Sequence, residues 1–144
     1  MKEKEIFNRL EKIAKTSLCK KMQFAAVIIN NQGLPIGWGK NEPLKFGCCI
    51  RENIPSGTQL EKCYAIHAEQ LALIRALESG YSLIDAELYI LGIKDNEVFD
   101  NKRFYCTLCS RILSVSKLKY INLWRNYQWI KLTPQQILDE SYGH

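Results

Sequence analysis

Two stretches of the chain, CYAIHAEQLALIRAL at 63–77 and YCTLCSRILSVS at 105–116, each set metal-binding residue types at the head of an apolar helical pattern. His67 and Glu69 stand two positions apart in the first, Cys106 and Cys109 three apart in the second, and one strand-like run, AELYILG (86–92), lies between them. If these side chains act together, the fold must deliver two helix N-termini to a single point. That requirement excludes most arrangements of a chain this size.

Either stretch alone says little. A histidine at a helix start is more often a cap or a structural residue, a glutamate in the first turn simply favours the helix dipole, and one C-x-x-C fits a redox pair, half of a zinc ribbon or chance. Together they supply what a catalytic zinc needs: three ligands of suitable type, His67, Cys106 and Cys109, with a fourth position left for water. The unpaired N–H groups of a helix N-terminus help to keep thiolates deprotonated. Bound water has its pKa lowered toward ~7, which makes hydroxide available near neutrality. Attack on an amidine-like ring carbon also requires a proton to pass from the water to a ring nitrogen and then to the departing amine. A carboxyl beside the metal but not bound to it, Glu69, suits both steps. The competing arrangement is a closed structural zinc completed by Cys19, Cys48, Cys49 or Cys63, which leaves the position of Glu69 unexplained.

The remaining pattern surrounds these motifs with a sheet. Ile6, Leu10, Ile13, Ala14 and Leu18 recur at helical spacing and predict an amphipathic helix over 4–18. FAAVIIN (24–30), the turn NNQG (30–33) and LPIGWG (34–39) predict a β-hairpin. Residues 40–62 show no period and read as a long loop or insertion, of the kind that is functional or tied down. A helix over about 66–79 ends at Gly80. After the strand at 86–92 come a helix over 107–116, a strand over 119–124 and a last helix to about Glu140, started by Thr133, Pro134 and the capping-box Gln136. This order predicts an α/β fold in which a mixed sheet carries helices on its faces. With 144 residues, no repeat and no flexible linker, one domain over 1–144 is expected.

No apolar run approaches the ~18 residues of a membrane span, and the charged N-terminus lacks the pattern of a signal peptide, so a cytoplasmic protein with no membrane partner is expected. The six cysteines then read as ligands or buried thiols rather than disulfides. The net charge of +5 is unevenly spread. Residues 101–138 contain no Asp or Glu but hold Lys102, Arg103, Arg111, Lys117, Lys119, Arg125 and Lys131, which suits a phosphate-bearing partner or a plain solvated face. Trp124, Tyr127 and Trp129 are candidates for stacking on a base, or for core and oligomer contacts. Arg51, Ser56 and Gly57 offer a guanidinium and backbone N–H groups to a phosphate.

From about residue 17 to 124 the chain resembles the cytidine and deoxycytidylate (dCMP) deaminase superfamily, and looks most like its dCMP deaminase branch. The likeness lies in SLCKKMQFAAVIINNQGLPIGWGKNEP, in GCCIRENIPSG with EKCYAIHAEQ, and in YCTLCSRILSVSKLKYINLW. It implies a three-layer α/β/α sandwich with a mixed central sheet, cytidine-deaminase-like, that hydrolyses dCMP to dUMP and ammonia. It further implies Zn2+ on His67, Cys106 and Cys109, a proton shuttle at Glu69, substrate contacts at Asn41 and Ala68 with Arg51 and Trp124 as further candidates, and assembly into homo-oligomers. A second, structural zinc on Cys19, Cys48, Cys49 and Cys63 is a further expectation, against which stand buried free thiols. Three positions depart from the usual pattern: Tyr105 where proline precedes the first zinc cysteine, Leu71 where asparagine follows the glutamate, and Glu42 in place of glycine. None removes a ligand, so any difference is expected in pocket shape and phosphate contacts. The alternatives are a deaminase acting on a base in RNA or single-stranded DNA, another nucleobase or nucleoside deaminase, and a non-catalytic zinc-stabilised interaction domain.

Overall fold

A computed structural model describes residues 1–19, 22–44 and 65–143. Its elements in chain order are α1 (Glu3–Ala14), β1 (Gln23–Ile29), β2 (Pro35–Lys40), β3 (Glu42–Pro43), β4 (Ala65–Ile66), α2 (Ala68–Glu78), β5 (Glu87–Lys94), β6 (Glu97–Val98), α3 (Thr107–Ser114), β7 (Tyr120–Arg125), β8 (Gln128–Leu132) and α4 (Pro134–Tyr142). The main sheet runs β2-β1-β5-β7-β8, with β6 paired to the end of β5. Among the described residues only β5 and β7 pair in parallel.

The central strands β1 and β5 are apolar at both parities because both of their faces are covered. On one face Ala26, Ile28, Leu88, Ile90, Ile121 and Leu123 pack with Ala72 and Ala76 of α2, Leu113 of α3 and Ile137 of α4. On the other, Ala25, Val27, Ile29, Tyr89, Leu91 and Ile93 meet Ile6, Leu10 and Ala14 of α1. The expected three-layer α/β/α arrangement with a mixed sheet is therefore the one observed.

Besides the short strands β3, β4 and β6, which the pattern did not mark, three details differ from it. The first helix ends at Ala14, because the N–H groups of Thr16 and Ser17 turn back to the carbonyls of Ile13 and Ala14. Leu18 therefore falls outside the helix and is exposed instead of buried. A further strand, β8, follows β7 through Asn126 and Tyr127, which both take positive φ (54° and 61°), the geometry of a two-residue hairpin turn. The last helix starts as its sequence indicates, the N–H of Gln136 donating to the Thr133 hydroxyl and the N–H of Thr133 to the Gln136 side chain, but it runs on to Tyr142. Among the described residues no helix is long and apolar enough to cross a membrane.

The sheet topology places the two motif-bearing helices. Both β2 and β5 run antiparallel to β1, so they are parallel to each other, and α2 lies in the connection between them. The connection from β5 to its parallel neighbour β7 contains α3. Both helices thus start beyond the carboxyl ends of parallel strands, which is the side of an α/β sheet where ligand sites form. The short β3–β4 ladder pairs Glu42 with Ile66 and Pro43 with Ala65. Continued one step, that register sets Asn41 across from His67.

Contact between β2 and α2 fixes the remaining distance. A Cβ placed on Gly39 would lie 2.4 Å from the carbonyl oxygen of Ala68 and 2.6 Å from the nitrogen of Ala72, both backbone atoms that cannot yield. Helix and strand touch backbone to backbone because residues 37 and 39 both lack a side chain. Gly39→Ala should therefore push the start of α2 off the sheet at a cost of about 3 kcal/mol, lowering Tm by roughly 10 °C. Thermal unfolding followed by circular dichroism measures it, and an unchanged Tm would contradict the packing described.

Candidate active site

His67 is the N-cap of α2 and Cys106 the N-cap of α3. The N–H of His67 donates to Oε1 of Gln70 at 3.0 Å, and its carbonyl accepts the N–H of Leu71 at 3.1 Å, so the residue is fixed at its backbone and its ring projects from the helix end. At the second helix the Cys106 sulfur itself takes the capping role, accepting the N–H of Cys109 at 3.4 Å. Glu69 falls in the first turn of α2 and is buried, as is Cys109, while His67 and Cys106 are partly open to solvent. One side of the cluster is closed and the other accessible.

The fold brings together all four residues that the sequence singles out for the chemistry. Nδ1 of His67 is 3.2 Å from Sγ of Cys109, 3.5 Å from Sγ of Cys106 and 3.4 Å from Oε1 of Glu69. The donor atoms of all four lie within 4.8 Å of one another. A tetrahedral zinc with ordinary bond lengths holds a nitrogen and a sulfur about 3.6 Å apart, close to both observed separations. One imidazole with two thiols is also the donor chemistry that zinc selects. His67, Cys106 and Cys109 therefore fit the ion, with the Glu69 carboxyl beside them.

The protons of the cluster report how strongly these groups feel one another. The hydrogen bond to Cys106, followed by that to Glu69, raises the His67 pKa to about 10 against the opposing effect of burial. Hydrogen bonding from Cys109 lowers Cys106 to about 5, with burial opposing and His67 assisting. Cys109 is pushed far up by its thiolate neighbour Cys106, by burial and by Glu69. For Glu69 burial is the largest single influence and acts upward, yet the donors His67 and Cys109 together keep the carboxyl below its usual value. Three acidic groups are thus crowded around one imidazole, an arrangement that calls for positive charge.

Residues expected around the substrate have varied positions. Ala68 is buried at the first turn of α2, between His67 and Glu69. Asn41 is buried too, and its amide does structural work: Oδ1 accepts the N–H of Phe24 at 2.8 Å and the hydroxyl of Ser17 at 2.8 Å, and Nδ2 donates to the carbonyl of Met22 at 2.7 Å. Trp124 does not join the cluster. Strand alternation turns it to the α1 face, away from Leu123, where its ring packs 4.5 Å from that of Phe7 and 5.4 Å from that of Trp129. Tyr127 stands exposed on the hairpin turn. Arg51, Ser56, Gly57, Cys48, Cys49 and Cys63 lie outside the described residues, so of the second-zinc set only Cys19 is seen, and it is buried. At the variant positions Tyr105 is exposed with the Arg103 guanidinium 4.8 Å from its ring centre, Leu71 is partly buried in α2, and Glu42 sits in the β3–β4 ladder.

Two supports escaped the sequence pattern. Gln70 is the N3 residue that anchors His67, the same device read correctly at Gln136, and its position three after His67 was the available signal. The Arg125–Glu140 pair, at 2.9 Å, has no local signature because its partners come from different elements.

The family model for the cytidine and deoxycytidylate deaminase zinc-binding region matches residues 1–123. No curated protein sequence matches the chain. Among solved structures, the dCMP deaminase of cyanophage S-TIM5 in apo form is 25% identical, with a TM-score of 0.56, covering 85% of this chain and 84% of its own. The same enzyme in complex with dCMP and dUMP gives 24% identity and a TM-score of 0.62 over 98% of this chain and 94% of its own. Cytidine deaminase from Burkholderia pseudomallei, 13% identical, shares the fold with a TM-score of 0.64 over 95% and 96%. The matched region contains both helix starts and the whole four-residue cluster, and the chain belongs to the cytidine and deoxycytidylate deaminase family of zinc-dependent hydrolytic deaminases.

Proposed function

We propose that this protein deaminates a cytosine nucleotide, converting dCMP and water to dUMP and ammonia, as a single-domain cytoplasmic enzyme that assembles with copies of itself. The observation that carries this reading is the meeting of one imidazole, two sulfurs and one buried carboxyl within 4.8 Å at two helix N-termini. The dCMP preference draws support from the phage enzyme solved with dCMP and dUMP.

His67, Cys106 and Cys109 would hold the zinc. When bound, zinc supplies a water whose pKa is near ~7 and which can therefore attack at neutral pH. Glu69, beside the three ligands, would take up a proton from the water that adds to C4 of the cytosine and deliver it to N3. The same carboxylate then moves the second proton from the C4 hydroxyl to the amino nitrogen. The C4–N bond breaks, ammonia leaves, and the C4 oxygen becomes the carbonyl of uracil. A carboxylate can carry both transfers only if it is held within reach and away from bulk water, which the burial of Glu69 favours. Substrate contacts fall to the N–H of Ala68, which has no intrahelical partner at the first turn of α2, to the remaining amide N–H of Asn41, and, for the phosphate, to Arg51, Ser56 and Gly57.

The basic interval gives less support to a nucleic-acid substrate than its sequence suggests. Arg125 forks onto Glu140, Lys131 meets Glu87, and Arg103 donates to the Glu140 carbonyl, so three of its cations are engaged within the fold.

Purified protein should release ammonia from dCMP or deoxycytidine and not from adenine or guanine nucleotides. Activity confined to oligonucleotides, with binding that weakens steeply as salt is raised, would instead favour the nucleic-acid reading. Glu69→Gln should keep its zinc by metal analysis while kcat falls by roughly 10²–10⁴-fold. Zinc retained with no ammonia from any cytosine compound would leave only the interaction domain.

The sulfur ligands can be tested separately from turnover. In chelator-treated protein Cys106, lowered to about 5, is a thiolate at neutrality, so iodoacetamide should modify it at pH 7 and progressively less as the pH falls below about 5. Cys109, raised and buried, should stay unmodified, and added zinc should protect Cys106. Peptide mass spectrometry reads all three outcomes; labelling of Cys106 that ignores zinc would remove it from the ligand set.

A further inference from the structure

Two adjacent residues of α4 grip the chain on either side of the cysteine motif. The Arg125 guanidinium binds both oxygens of Glu140, Nη1 to Oε2 at 3.0 Å and Nη2 to Oε1 at 2.9 Å, and its Nε donates to the carbonyl of Asn101 at 2.6 Å. Oε1 of Glu140 also accepts the backbone N–H of Phe104 at 3.0 Å, and the Glu140 carbonyl accepts Nε of Arg103 at 2.9 Å. One residue on, the Ser141 hydroxyl meets that of Ser110 at 2.7 Å, both fully buried. Phe104 precedes Cys106 by two residues and Ser110 follows Cys109 by one. Glu140 and Ser141 therefore bracket the two sulfurs in sequence and tie both flanks to one turn of one helix.

Between these tethers the segment is held by the burial of Phe104 and Cys109 in the core and by few hydrogen bonds of its own. It enters from the β6 side as loop, with the N–H of Asn101 donating to the carbonyl of Trp124 at 2.9 Å, and leaves as the first turn of an eight-residue helix. The side-chain capping bond at the motif, from the Cys109 N–H to the Cys106 sulfur, is long at 3.4 Å, beside the backbone bond from the Ser110 N–H to the Cys106 carbonyl at 3.0 Å. The Arg125–Glu140 bond is bidentate and mostly shielded from solvent, with side chains 20% and 25% exposed, which distinguishes it from a loose surface pair. Arg125, Glu140 and Ser141 all lie beyond residue 123, where the family match ends.

We propose that the Arg125–Glu140 pair is the positioning element for the sulfur ligands: α4, acting through residues 101–104, sets where Cys106 stands relative to His67 and thereby sets the affinity for zinc. The inference rests on the assignment of His67, Cys106 and Cys109 as zinc ligands. Its physical basis is that removal of the Glu140 carboxylate strands the Phe104 N–H and frees Arg125, so the backbone leading to Cys106 can relax. Outer partners of metal ligands, when removed, typically weaken metal binding by 10–100-fold.

Zinc affinity is to be measured by competition with a chromophoric chelator, well below the unfolding temperature of every variant, and ligand geometry by the thiolate-to-metal absorption of the cobalt-substituted protein. Glu140→Ala and Arg125→Ala should each weaken zinc by roughly 10–100-fold and alter the cobalt spectrum, and the double variant should be little worse than the weaker single one because the two act as a unit. Glu140→Gln, which keeps an acceptor for Phe104, should recover part of the loss. Ile137→Val, a buried α4 change that touches none of these bonds, supplies the stability control. It should lower Tm and leave both zinc affinity and spectrum unchanged. Should Glu140→Ala fail to fold, Glu140→Gln and Arg125→Lys decide, with a loss of severalfold expected. Zinc binding within about twofold of the parent in the folded pair variants, or an equal loss in Ile137→Val, would overturn the inference while leaving the ligand assignment intact. A parent protein that binds no zinc would overturn both.

Discussion

The parallel relation of β2 and β5 across β1 is the constraint on which the site depends. Because α2 follows β2 and α3 follows β5, both helices begin at the same end of the sheet, and each arrives with half of a donor set that has no use alone. His67 and Glu69 come with one, Cys106 and Cys109 with the other. The glycine at 39 then closes the gap by letting the backbone of α2 rest directly on that of β2. A sheet that reversed either strand would send one motif to the opposite end of the molecule.

Convergence creates an electrostatic demand as well as a geometric one. Glu69, Cys106 and Cys109 are acidic groups crowded on one imidazole, and only positive charge or shared protons can hold them there. The shifts express this: a Cys106 thiolate beside a His67 imidazolium persists from about pH 5, where the thiolate protonates, to about pH 10, where the imidazolium gives up its proton. A group whose pKa is raised on folding stabilises the fold below its unfolded value and loses that contribution as pH climbs through the folded one; the lowered Cys106 does the reverse. Zinc must displace protons from His67 and Cys109 within that window, so metal and protons compete for the same atoms and affinity for the metal rises with pH. The helix N-termini favour the outcome with thiolates on both sides of that competition.

Much of this was legible in the sequence because it depends on local signals. The hairpin, the apolar helix behind His67, the C-x-x-C at a helix start and the Thr133–Gln136 capping box each announce themselves within a few residues. What was not legible depends on long-range geometry. β8 was hidden because its turn uses Asn126 and Tyr127, and a tyrosine at positive φ is not a residue one assigns to such a turn. Of the two readings open for Trp124, stacking on a base or packing in the core, the structure shows the packing, because alternation gives Leu123 to one face and Trp124 to the other. The acid-free interval 101–138 is a property of the sequence and not of the surface. Glu140, two residues past its end, neutralises Arg125, and Glu87, from a strand before it, neutralises Lys131.

The same long-range logic separates the chemistry of the site from its selectivity. His67 and Glu69 are anchored by the helix that rests on β2, and Cys106 and Cys109 by the tethers from Glu140 and Ser141 on either side of them. Asn41 is committed at both ends of its amide to Ser17, Phe24 and Met22, so its first task is to join the end of α1 to the start of β1 at the edge of the site. The β3–β4 ladder binds Glu42 and Pro43 to Ala65 and Ile66, which brings both ends of the intervening segment, 45–64, to the place where Asn41 faces His67. The sheet thus brings the four reactive groups together, while Glu42, Leu71 and Tyr105, the positions that depart from the expected pattern, stand outside that cluster.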